Sequence, residues 1–84
     1  MSIAYNNMHM KNNYKKISEN FGFKIMIERK KQKLSQEDLA ELANMHRNSI
    51  GDIERAEKSP TLESMCAIAN ALNLDLKELL NNNF

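Results

Sequence analysis

With 84 residues, 42% of them hydrophobic and 27% charged, the chain has the composition of one small globular domain. No apolar run approaches the ~20 residues of a membrane span, and no apolar signal-peptide core is read at the N-terminus. A single cysteine, Cys66, excludes an internal disulfide framework and fits a reducing, cytoplasmic setting. The net charge of +1 hides an asymmetry: residues 1–35 carry eight Lys/Arg against Glu19 and Glu28, a balance of +6, whereas residues 36–84 carry −5. Such a basic half suits a polyanion such as nucleic acid, and equally a solvated helix face.

Residues 1–16, MSIAYNNMHMKNNYKK, lack a period and read as a polar arm preceding a single domain over 17–84. Met8, His9 and Met10 have no further ligands nearby, so no metal is expected there. The spacing predicts a first helix over 17–33, with Phe21 and Ile25 at i, i+4 and Phe23 and Ile27 likewise. Either this helix is rotated or Phe23, Met26 and Ile27 form a second stripe, which Ile3, Tyr5, Tyr14 or Ile17 of the arm is expected to cover. Ser35 opens a second helix as N-cap, with Gln36, Glu37 and Asp38 in its first turn. A third helix is predicted over 47–55. Thr61 then caps a fourth over 62–72, which places Leu62, Met65, Ile68, Ala69 and Leu72 on one face and Cys66 among apolar neighbours in the core. Asp75 and Glu78 form a capping-box pattern for a short fifth helix. No strand pattern or repeat intervenes, so the expected fold is all-α, a compact five-helix domain.

The organising stretch is LSQEDLAELANMHRNSIGDIERAEKSP, residues 34–60, in which two helices too short to stand alone follow one another across Asn44. This is the outline of a helix-turn-helix, spanning residues 36–55, whose second helix enters the DNA major groove. Counted from Gln36, apolar or small residues stand at positions 4, 8, 10, 15 and 18: Leu39, Ala43, Met45, Ile50 and Ile53. Ala40 is small enough for the helices to cross closely. Asn44 sits where the turn wants a left-handed backbone, which Gly and Asn tolerate best.

The stretch, continued through PTLESMCAIANALNLDLKELL, resembles the Cro/lambda-repressor-like (XRE-type) helix-turn-helix family over residues 21–80. Within it, HRNSIGDIER is most similar to the recognition helix of controller proteins from restriction–modification systems. The resemblance implies a lambda-repressor-like fold, Gln36 at a position that contacts a DNA phosphate, and a shielded ion pair between Arg29 and Glu54 joining the first and third helices. It also implies that an acidic patch on the second helix, Glu37, Asp38 and Glu41, can touch RNA polymerase. Three departures stand out: Lys33 and Ala56 where the family usually has Gly, His46 where it has Ser, Thr or Asp, and Glu28 at a core position with Ile27 beside it.

On a helical wheel Ile50 and Ile53 face inward, while Asn48, Gly51, Asp52 and Arg55 face away with Arg47 on the flank. Arg47 and Asn48, at the N-terminal end, are the first candidates for base reading: Arg pairs bidentately with guanine and Asn with adenine. Asp52 suits a cytosine amino group, and Gly51 a close approach of backbone to DNA or, equally, drift on a tolerant face. Gln36, Ser49, Arg55, Lys58 and His46 are candidate phosphate contacts; a plain surface role competes for His46.

The expected function is that of a sequence-specific regulator bound to double-stranded DNA as a homodimer on a palindromic operator, autoregulatory, of the controller-protein type. A phage-type repressor and a toxin–antitoxin partner module remain as alternatives. The dimer interface is assigned to Leu74, Leu76, Leu79, Leu80 and Phe84, some of which must also close the monomer core. Neither cofactor nor metal is expected. His46 and Ser49, at i, i+3, lack an orienting carboxylate and an oxyanion hole, so no enzymatic activity is expected.

Overall fold

The computed structural model describes residues 12–81, which form five helices: α1 Tyr14–Lys31, α2 Gln36–Ala43, α3 Arg47–Glu54, α4 Leu62–Ala71 and α5 Leu76–Leu80. Ile3, Tyr5, the Met8–Met10 pattern and Phe84 lie outside the described residues. Among the described residues no helix is long and apolar enough to cross a membrane.

Capping sets the helix starts. The Asn13 side chain accepts from the Lys15 and Lys16 N–H groups at 3.1 and 3.3 Å, so α1 begins at Tyr14 and residues 14–16 are its first turn rather than the end of an arm. Ser35 and Asp38 form a reciprocal capping box on α2, and Thr61 accepts from the Ser64 N–H to open α4. The box expected at Asp75 does not form. Asp75 makes no side-chain cap bond, and the Glu78 N–H goes to the Asp75 backbone carbonyl instead.

Four helices end in one way. Lys33, Asn44, Ala56 and Asn73 take left-handed φ values of 55–60°. At each end the next residue's N–H reaches back five positions, as in Leu34→Arg29 (3.0 Å), Met45→Ala40 (2.8 Å), Glu57→Asp52 (2.8 Å) and Leu74→Ala69 (2.9 Å). These are Schellman closures. Lys33 and Ala56 therefore close their helices as Gly would, at a conformational cost of roughly 1–2 kcal/mol each. After three of the four, an apolar residue (Leu34, Met45 or Leu74) seats against the core. After the fourth stands Glu57, exposed.

The core joins Phe21 and Ile25 of α1, Leu39, Ala40 and Ala43 of α2, Ile50 and Ile53 of α3, Ile68 and Ala69 of α4, Leu72 and Leu79. Every inward position of the α2–α3 unit thus carries the apolar residue its spacing demanded, with Met45 partly buried. Four expectations fail. Leu62 is 66% exposed, because the inward packing of α4 begins only at Met65, one turn further on. Cys66 is likewise exposed. Leu79 is a fully buried core residue and so is not available as a dimer contact, whereas Leu74, Leu76 and Leu80 are partly buried. Nor do Tyr14 and Ile17 cover Phe23. They belong to α1 itself and line a groove with Phe21, Pro60 and Met65, and Phe23 stays 47% exposed.

Candidate nucleic-acid interface

The orientation of α3 is settled by its contacts with α1 and α2. Asn44 supplies the left-handed corner between α2 and α3, at φ 55° and ψ 48°. From the other side α1 crosses α3 at Gly22. A Cβ built there would collide with the Ile53 carbonyl oxygen and stand 2.9 Å from that of Glu54. No side chain fits that crossing without moving one helix, and a glycine in mid-helix was the available sequence signal for it.

Arg29 then bolts α1 to α3. Its Nε and Nη2 donate to the two Glu54 carboxylate oxygens at 2.7 and 3.0 Å, and its Nη1 donates to the Leu34 carbonyl at 2.9 Å. Both side chains are shielded, 10% and 4% exposed, so this is a hydrogen-bonded, desolvated pair of the kind that cannot lose one member cheaply. Gln36, the first residue of α2, donates its Nε2 to Glu54 Oε1 at 3.0 Å. Its carboxamide is thereby positioned at the start of α2 rather than left to swing.

These contacts shape an open concavity of about 630 Å³ between the N-terminus of α2 and the outward face of α3, lined by Arg29, Ser35, Gln36, Glu37, Arg47, Asn48, Gly51, Asp52 and Arg55. All four candidate base readers lie in it, together with Gln36 and Arg55. Gly51 is buried beneath Arg55 and Gln36, so those side chains cover its backbone. Ser49 is half-buried and His46 exposed outside this lining; His46 ends the turn as N-cap of α3 without a side-chain cap bond. Lys58 stands apart, in a separate depression with Lys15, Ser18 and Glu57.

Acids accompany both exposed arginines. Arg47 lies 3.8 Å from Glu37, an exposed and therefore weak pair. Arg55 donates its Nη2 to Asp52 at 3.0 Å and its Nε to Glu57 at 3.1 Å. The carboxylate of Asp52 is thus matched by a cation. On α2, Asp38 is held below its ordinary value of 3.8 by hydrogen bonds from the Ser35 N–H and hydroxyl. Asp38 stays exposed while it caps, so all three acids of the patch, Glu37, Asp38 and Glu41, lie on the surface. Among the described residues no group of three or more His, Cys, Asp or Glu is placed to hold a metal ion.

The fold is that of a known class. A helix-turn-helix family model matches residues 25–79, and the chain belongs to that family, of XRE type. Among its relatives, the control protein C.SmaI of Serratia marcescens is 47% identical over 47 residues, 56% of this chain and 56% of that protein, so the chain spans little more than half the relative's length. The crystal structure of the restriction–modification controller protein C.AhdI from Aeromonas hydrophila superposes with a TM-score of 0.72 at 32% identity, covering 74% of this chain and 94% of that one. The P22 c2 repressor, solved in complex with a synthetic operator, gives a TM-score of 0.70 at 30% identity over 75% of this chain and 96% of its own.

Proposed function

We propose that this protein is a transcriptional regulator that binds double-stranded DNA sequence-specifically, of the restriction–modification controller type. The observation that carries the reading is the concavity itself. It gathers Arg47, Asn48, Asp52 and Arg55 on one face of α3 and sets the Gln36 amide at the N-terminus of α2, where a phosphate is favoured. The named kinship with C.SmaI and C.AhdI supports the controller assignment, and the operator complex of the P22 repressor supports DNA as the ligand. In this role Arg47 and Asn48 read base edges from the start of α3 while Gln36 contacts the backbone. The protein carries out no catalysis and acts in the cytoplasm, where its DNA is.

One such domain reads only a few base pairs, so the regulator acts as a homodimer on a palindromic site, with half-sites about one helical turn (~34 Å) apart. The dimer forms through the α5 end, where Leu74, Leu76 and Leu80 are only partly buried. The exposed acids of α2, Glu37, Asp38 and Glu41, are the candidates for a polymerase contact. A gel shift with the DNA upstream of the protein's own gene tests the reading. Wild type is expected to bind tightly and lose affinity steeply with salt, and Arg47→Ala to lose the specific complex. Binding to any duplex alike, or to none, would overturn it and favour a partner-binding module such as an antitoxin.

A further inference from the structure

Arg55 closes α3, and its guanidinium runs back along the helix instead of out into solvent. A Cβ added to Gly51, one turn earlier, would stand 3.1 Å from Arg55 Nη1 and 3.4 Å from Gln36 Oε1. The missing side chain is therefore the seat on which the guanidinium lies. Two carboxylates frame it, Asp52 on Nη2 and Glu57 on Nε. The frame is tied together through the backbone, because the Glu57 N–H donates to the Asp52 carbonyl at 2.8 Å across the left-handed Ala56. Of the four Schellman closures this is the one whose following residue is polar, and that residue is the one that grips Arg55.

An arginine that serves only as a phosphate clamp gains nothing from this frame, since each neighbouring carboxylate weakens its attraction for a phosphate. A base reader gains from it, because bidentate pairing with guanine O6 and N7 requires the guanidinium fork in one orientation. Both N–H groups of Nη1, and the second one of Nη2, remain for a base. We infer that Arg55 is a specificity-determining guanine reader, seated over Gly51 and oriented by Asp52 and Glu57. The inference rests on the DNA-binding function proposed above. It makes Asp52 a positioning residue instead of a cytosine contact, and Gly51 part of the reader's seat.

The test is selection from a library of duplexes with a randomised centre, using the full chain as wild type, Arg55→Lys, Asp52→Asn and Gly51→Ala, each checked for helical content by circular dichroism. Affinity for the selected duplex is then compared with that for a shuffled one. Arg55→Lys keeps the charge and removes the fork. It is expected to lower the ratio of selected to shuffled affinity by about tenfold to a hundredfold and to relax the preference at one base pair per half-site. Asp52→Asn is expected to raise affinity for the shuffled duplex while lowering the ratio, and Gly51→Ala to lower the ratio severalfold in a fully folded protein. If Arg55→Lys and Gly51→Ala both keep the wild-type preference and ratio, Arg55 is a phosphate clamp and the inference falls while the proposed function stands. Enrichment of no sequence by wild type would overturn that function, and the inference with it.

Discussion

Helix α3 carries an arginine–carboxylate cluster on each side, built from the same chemistry and put to opposite uses. In the inner one, Arg29 and Glu54 are shielded from water, doubly hydrogen-bonded and joined by Gln36. In the outer one, Arg55 is 55% exposed and its partners Asp52 and Glu57 are 34% and 60% exposed. Burial makes the difference. Desolvated charges cannot part without leaving one of them stranded, so the inner cluster acts as a structural bolt between helices. The outer one is exposed and contributes little to stability, and the orientation of Arg55 rests on the Gly51 seat together with its two acids. Gln36 touches both, bonding Glu54 directly and lying over the Gly51 seat beside Arg55.

The sharpest way to break this contrast is Glu54→Gln, which strands the Arg29 charge. A loss of about 3–5 kcal/mol in a urea melt is expected, a large share of the roughly 5–15 kcal/mol that holds a domain of this kind. A smaller loss would mean that water reaches the pair. Next comes Gly22→Ala, expected to destabilise by about 1–3 kcal/mol or more as α1 is forced off the Ile53 and Glu54 carbonyls. Because that crossing sets α3, DNA affinity should fall further than the fraction unfolded explains, which combined melting and gel-shift data will reveal. The opposite sign is predicted for Ala56→Gly. Relieving a left-handed alanine should raise stability by about 1 kcal/mol, seen as a higher Tm. At the small end, Asp52→Asn should alter stability by no more than about 0.5 kcal/mol, and less at high salt. A large effect from that exposed site would erase the distinction between the two clusters.

Much of this was legible before any coordinates. Leu39, Ala40, Ala43, Ile50 and Ile53 are buried because a helix-turn-helix leaves few ways to hide two eight-residue helices, and the 3.6-residue period reports which side turns inward. Asn44 was legible because a tight corner needs a backbone that few residue types tolerate. Periodicity misplaced Leu62 and Cys66, because a stripe says which residues share a face but not how much of that face a neighbouring helix covers. Leu79 was misassigned for a related reason: a leucine offered to a partner and one closing a monomer look the same in one dimension. The start of α1 was missed because Asn13 caps a turn with no apolar repeat to announce it.

The sequence by itself determined the class of fold, the limits of the helix-turn-helix and the outward identity of α3, since these follow from local spacing and caps. Tertiary structure decided the geometry in which charges meet, although the family resemblance already implies the Arg29–Glu54 pair. Arg29 reaches Glu54 across 25 positions, and Gly22 must yield its side chain to the α3 carbonyls. Arg55, although next to its acids in sequence, folds back because Gly51 leaves room for it. Long-range electrostatics and steric fit depend on where helices cross, and no periodicity within a single helix records that.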